Sequence, residues 1–118
     1  MKFELDNKSP IYLQIIKYIK QQIVIGELNP GDTVLSRREM ALELNVNLNT
    51  VQRAYKDMGE MGIINTFKNY QSSITTDKEI LNNIKMELID ESLDTFIENM
   101  KSIKLTKEEV MKIIDEKY

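Results

Sequence analysis

At 118 residues the chain has room for one domain with an appended helical element. It contains no cysteine and no histidine, which excludes disulfides, thiolate chemistry and Cys-based metal sites and removes the commonest general base. The formal net charge is −3 and unevenly spread: nine Lys/Arg against eight Asp/Glu give +1 through Thr75, and seven against eleven give −4 from Thr76 onward. Any basic surface is therefore local. No apolar run reaches membrane-spanning length and no signal peptide is visible, so the expectation is a cytoplasmic chain without membrane insertion.

Residues 1–8 are a short lead-in in which Phe3 and Leu5 alternate with charges, as expected of an extended arm lying along the domain. Ser9-Pro10 then opens a helix, with Ser as cap and Pro at the first helical position. Tyr12, Ile15, Ile16, Ile19 and Ile23 form its single apolar stripe, and Gly26 ends it. Asn29-Pro30-Gly31-Asp32 has turn chemistry, and Thr33-Val34 fits a one-bridge strand.

Ser36 to Met61 reads as a helix, a three-residue turn and a second helix. Ser36 and Glu39 have capping-box spacing, with Leu35 and Met40 placed as a staple. Met40, Ala41 and Leu44 face inward; Asn45 tolerates a left-handed turn and Asn47 can cap the next helix. On that second helix Val51, Ala54, Tyr55, Met58 and Met61 form an apolar stripe, whereas Asn49, Thr50, Gln52, Arg53 and Lys56 lie opposite. A helical hairpin with a solvated outer face is the bland alternative. Against it, the first turn, Asn-Leu-Asn-Thr, is poor in helix propensity yet suited to reading base edges. The pair therefore reads as a helix-turn-helix with an outward recognition helix. Gly59, inside that helix, costs about 1 kcal/mol against Ala unless close packing needs it.

Leu28-Asn29-Pro30-Gly31-Asp32, Leu35-Ser36-Arg37-Arg38-Glu39-Met40-Ala41 and Val46-Asn47-Leu48-Asn49-Thr50-Val51-Gln52-Arg53-Ala54-Tyr55 occur in that order. Together they resemble the GntR family of bacterial transcription regulators, and the Asn-x-Asn-Thr-Val-x-Arg-Ala-Tyr run resembles its YtrA-like subfamily. The resemblance implies a winged helix-turn-helix, a DNA-contacting Arg at position 38, and a two-helix dimerisation tail without a large effector domain. The chain departs from the family where Leu35 and Leu48 stand in place of frequent prolines, and where Asn69 and Gln71 replace a Gly-x-Gly wing tip.

After Gly62, Ile63–Phe67 and Ser72–Thr75 alternate like the strands of a small two-stranded wing around Lys68-Asn69-Tyr70-Gln71. From Thr76 the chain is helical: a Thr76/Glu79 capping box, then an apolar surface running to about Met100 in a helix roughly 35–40 Å long. Thr106 and Glu109 repeat the box, with Leu105 and Val110 as staple, and Val110, Met111, Ile113, Ile114 and Tyr118 form a last stripe. These two helices carry more apolar surface than they can bury against each other. Either they fold back on the winged domain or they meet a second copy.

The expectation is thus a mainly α chain: a winged helix-turn-helix DNA-binding domain over 1–75 and a helical dimerisation tail over 76–118. Candidate base-edge residues are Asn49, Thr50 and Gln52, with Arg53 for a guanine or phosphate and Lys56 on the same face. Leu48 is placed for a thymine methyl or as a spacer, Lys68 for a phosphate and Asn69 for the wing tip. Arg37 adds charge beside Arg38. Ser36 and Asn47 read as caps at helix N-termini that can also bind phosphate. Ile84, Leu88, Leu93, Phe96, Ile97, Met100, Met111 and Ile114 are the candidates for dimerisation. Met86, Met100 and Met111 serve either as core filler or as the lining for a small apolar or peptide effector. No cofactor or metal is implied. The partners are a palindromic double-stranded operator and a second copy of the chain, acting as a repressor of its own operon, by resemblance one beside ABC-transporter genes. A winged-helix protein-interaction adaptor is the alternative. An enzyme is disfavoured: there is no phosphate-binding glycine loop and no metal-ligand spacing, and Asp90-Glu91 and Glu108-Glu109 read as solvated helix faces.

Overall fold

The computed structural model describes residues 3–67 and 71–118. Five helices and three short strands follow in the order α1 (Ile11–Val24), β1 (Thr33–Val34), α2 (Arg37–Leu44), α3 (Leu48–Glu60), β2 (Ile64–Thr66), β3 (Ser72–Ile74), α4 (Lys78–Ser102) and α5 (Lys107–Lys117). By packing they form two compact units, Met1–Lys85 and Met86–Tyr118. The division falls within α4, so the first two turns of that helix belong to the winged unit.

The lead-in lies along α1. Phe3 meets Tyr18 edge to face at 5.2 Å, and the Gln14 side chain both accepts from the Asp6 amide and donates to the Asp6 and Ser9 carbonyls. Helix α1 begins one residue later than expected. Pro10 is its N-cap (φ −55°, ψ 142°), and Ser9 makes no side-chain cap; the Pro10 carbonyl instead accepts from Leu13 and Gln14. Ile15, Ile16 and Ile19 are buried, with Tyr12 and Ile23 at the margin of the core. Gln22, one turn beyond Ile19, is buried with them.

The sheet has three strands: the two of the expected wing, β2 and β3, and the expected Thr33-Val34 strand, β1. β3 is central and antiparallel to both neighbours, pairing Thr33 and Val34 with Ser73 and Ser72 on one side and Ile64–Thr66 with Ile74–Ser72 on the other. What the sequence leaves open for β1 is its partner, which is β3. Phe67 N donates to the Gln71 carbonyl and closes the wing. Lys68 and Asn69, assigned to DNA, lie outside the described residues.

One core serves the winged unit: Ile15, Ile16 and Ile19 from α1, Val34, Met40 and Leu44, Val51, Ala54, Tyr55 and Met58 from α3, Ile63, Ile64 and Ile74, and Ile84 from α4. Ile84 corrects an expectation. Its assignment to the dimer face fails because, at 3 % exposure, it is already buried within this core. Met61 corrects another: it caps α3 and is 45 % exposed instead of completing the stripe. Gly62, at φ +78°, carries the chain from α3 to β2, and a Cβ there would stand 2.9 Å from Ile80 Cδ1. Asp77, not a Thr76/Glu79 box, caps α4; its carboxylate accepts from the Glu79 and Ile80 amides because the helix starts at Lys78, which puts Asp77 immediately before the first orphan amides.

In the second unit the Thr106/Glu109 capping box forms as expected. Phe96, Met100, Val110 and Ile114 are half-buried along an apolar groove between the α4 and α5 segments, with Leu93, Ile97 and Met111 at its exposed edges. Neither Met86 nor Met111 acts as core filler within the chain, since both are nearly half exposed. No helix among the described residues is long and apolar enough to cross a membrane.

Candidate nucleic-acid interface

Local chemistry fixes the helix pair. Ser36 Oγ accepts from the Glu39 amide while the Glu39 carboxylate accepts from the Ser36 amide, closing both ends of the capping box. The Ser36 amide first, and then the Ser36 hydroxyl, hold the Glu39 carboxyl below its ordinary pKa. Asn45 adopts the left-handed conformation (φ 56°, ψ 51°), and the Val46 amide returns to the Ala41 carbonyl at 3.0 Å. Asn47 then caps α3, its Oδ1 accepting from the Asn49 amide at 2.8 Å. The accepting oxygens of Ser36 and Asn47, both assigned to DNA, are thus engaged as caps.

Burial of Val51, Ala54, Tyr55 and Met58 leaves the opposite face of α3 outward. Asn49, Gln52, Arg53 and Lys56 recur there at i, i+3, i+4 and i+7, and all four are exposed. Two amides that can each pair bidentately with adenine, a guanidinium and an ammonium form one row. Leu48 and Thr50 stand beside that row, half-buried. Arg38, at the start of α2, is exposed.

Two of the chain's three arginines rest on tyrosines. The Arg53 guanidinium carbon lies 3.8 Å from the centroid of the Tyr12 ring, and its Nη2 donates to the Tyr12 hydroxyl at 3.0 Å. Arg37 stands 5.3 Å from the ring centroid of Tyr55, whose hydroxyl donates to the Leu35 carbonyl at 2.6 Å. Burial pushes the Tyr55 phenol far up from its ordinary pKa. In the sequence Tyr12 and Tyr55 belong only to the core stripes. Nothing in the local pattern links Tyr12 to a residue 41 positions away.

Among the described residues no group of three or more His, Cys, Asp or Glu side chains could hold a metal ion. The arrangement offers directional donors and cations on a rigid helix, which is equipment for recognition. A profile of bacterial regulatory proteins of the gntR family matches residues 11–69, from α1 into the wing. The chain is 40 % identical to the uncharacterised HTH-type transcriptional regulator YhcF of Bacillus subtilis, over 94 % of its own length and 92 % of that protein.

This chain belongs to the GntR family.

Another GntR relative is the HTH-type transcriptional repressor YtrA of Bacillus subtilis, 38 % identical over 77 % of this chain and 71 % of that one. Among solved structures, a GntR family transcriptional regulator from Listeria monocytogenes superposes with a TM-score of 0.88 at 34 % identity, covering 95 % of this chain and 98 % of the other. The GntR fold expected from the motifs, a winged helix-turn-helix with a two-helix tail, is the fold observed. Its members are DNA-binding transcription regulators and not enzymes, and so is this chain.

Proposed function

We propose that the chain is a homodimeric repressor whose two α3 helices read a palindromic operator in its own promoter, within an operon that includes an ABC transporter. The observation that carries this is the row Asn49, Gln52, Arg53 and Lys56, held outward by a buried stripe on the same helix. One such helix reads few base pairs; two on a two-fold axis read half-sites about 34–36 Å apart or a multiple of that. The tail supplies the means of pairing, since Leu93, Ile97 and Met111 remain exposed beside the half-buried Phe96, Met100 and Ile114. We assign residues 76–118 to dimerisation, less Ile84 and its turn. An effector, if the cell supplies one, is a small apolar or peptide compound entering beside Met100 and Met111, which line the tail groove.

Selection of bound sequences from random duplexes tests this. The expected result is a two-fold symmetric site with half-sites one helical turn, or a multiple, apart. Gln52→Ala then costs about 1–3 kcal/mol and relaxes preference at one position of each half-site. An asymmetric site would sink the paired reading. Failure to enrich any duplex, even at low salt, would favour an adaptor that binds protein instead.

A further inference from the structure

Arg53 does not leave α3 unaccompanied. Its guanidinium is stacked 3.8 Å from the Tyr12 centroid and hydrogen-bonded to the Tyr12 hydroxyl at 3.0 Å. Tyr12 belongs to α1, and its ring is half-buried against the core, so the platform is fixed even though the arginine is exposed. A stack open to water adds little to folding. Its value lies elsewhere. A free arginine gives up considerable rotamer freedom when it is immobilised by a ligand, and a side chain already held gives up less. One N–H is committed to Tyr12, and the other donors of the planar fork remain for an incoming acceptor.

The acceptor follows from where the fork is held. Asn49 and Gln52 occupy the first two turns of α3, the part of a recognition helix that meets base edges. The Arg53 guanidinium, on the same outward face, is held against Tyr12 of α1, and a guanidinium tethered to a neighbouring helix suits an oxyanion of the DNA backbone. Phosphate oxygens match such a fork in charge and geometry. Resting on the DNA-binding reading above, we infer that Tyr12 is a positioning residue that presents Arg53 to a backbone phosphate of the operator, making α1 part of the reading surface.

A duplex recovered by the selection above serves as the probe, titrated over a series of salt concentrations. Arg53→Ala should weaken binding equally for every duplex tested and lower the log–log salt slope by about 1. Tyr12→Leu should weaken binding about fivefold to tenfold, again without altering base preference. Tyr12→Phe, which keeps the ring, should recover most of that loss. The double variant should bind no worse than Arg53→Ala alone. Should Tyr12→Leu lower the melting temperature, Arg53→Lys carries the test with Tyr12 intact: the salt slope is kept and affinity falls about fivefold to tenfold, because an ammonium lacks the fork. Three results overturn the inference: equal losses from Tyr12→Leu with and without Arg53, altered preference at one base pair, or unchanged affinity for both Tyr12→Leu and Arg53→Lys. If the natural chain enriches no duplex, the DNA-binding reading falls first and this inference falls with it.

Discussion

The winged unit and the tail solve the same problem differently. Every fully buried apolar side chain among the described residues lies at or before Ile84, and α5 buries none. The tail helices have their caps and their groove, yet their apolar residues stop at half burial. The unit that carries α3 is closed upon itself, while the other leaves its apolar side chains half exposed. Helix propensity and capping suffice to make a helix; only a finished core makes a unit self-sufficient.

The sharpest way to break this comparison sets Ile84 against Leu93, nine residues apart on one helix. Ile84→Ala should cost about 2–4 kcal/mol of unfolding free energy, equally at all protein concentrations, because it opens a cavity in a closed core. Leu93→Ala, at a site 47 % exposed, should cost little in the isolated chain and should shift the self-association midpoint measured by sedimentation. A concentration-independent loss at Leu93 comparable with that at Ile84 would erase the distinction.

Two glycines near the end of α3 refine the picture of the closed unit. Gly62→Ala places a Cβ 2.9 Å from Ile80 Cδ1 at a backbone φ of +78°; a loss of about 1–3 kcal/mol is expected in urea unfolding. Gly59→Ala goes the other way. Its Cβ would meet nothing within 4 Å, so the expected outcome is a gain of about 0.5–1 kcal/mol and a higher melting temperature. The helix thus carries a glycine that its own packing does not require.

The smallest effect is one of pH. The Glu39 carboxyl sits below its ordinary value near 4.5, held there by the Ser36 amide and hydroxyl. A depressed folded pKa means stability that is fully present above the unfolded value and lost as pH falls through the folded one. The capping-box contribution should therefore fade below pH 4.5, and in Ser36→Ala that acid-dependent portion should shrink. An unchanged acid limb in the variant would exclude Glu39 as its source.

What could be read from the residues alone follows the same divide between local and distant causes. The capping boxes at Ser36 and Thr106, the left-handed Asn45 and the buried stripe of α3 are written in neighbouring residues and were legible. So was the polar row of α3, as the complement of that stripe. Asp77 outcompeted Thr76 as cap by one position, a contest decided by where the first turn closes. The partner of the Thr33-Val34 strand is β3, 38 residues on. Ile84 and Leu93 are both apolar residues of one helix, and only the third dimension says which has a core to join. The Tyr12–Arg53 stack joins two residues that each had an adequate local explanation, as a core aromatic and as a surface cation.

The Tyr55 clasp has a physiological corollary. The phenol that ties α3 to the Leu35 carbonyl is pushed by burial well above its ordinary pKa and stays protonated, and the chain has no imidazole or thiol to change charge near neutrality. The hydrogen bond between α3 and the segment before α2 is thereby kept through alkaline drift that would ionise an exposed phenol.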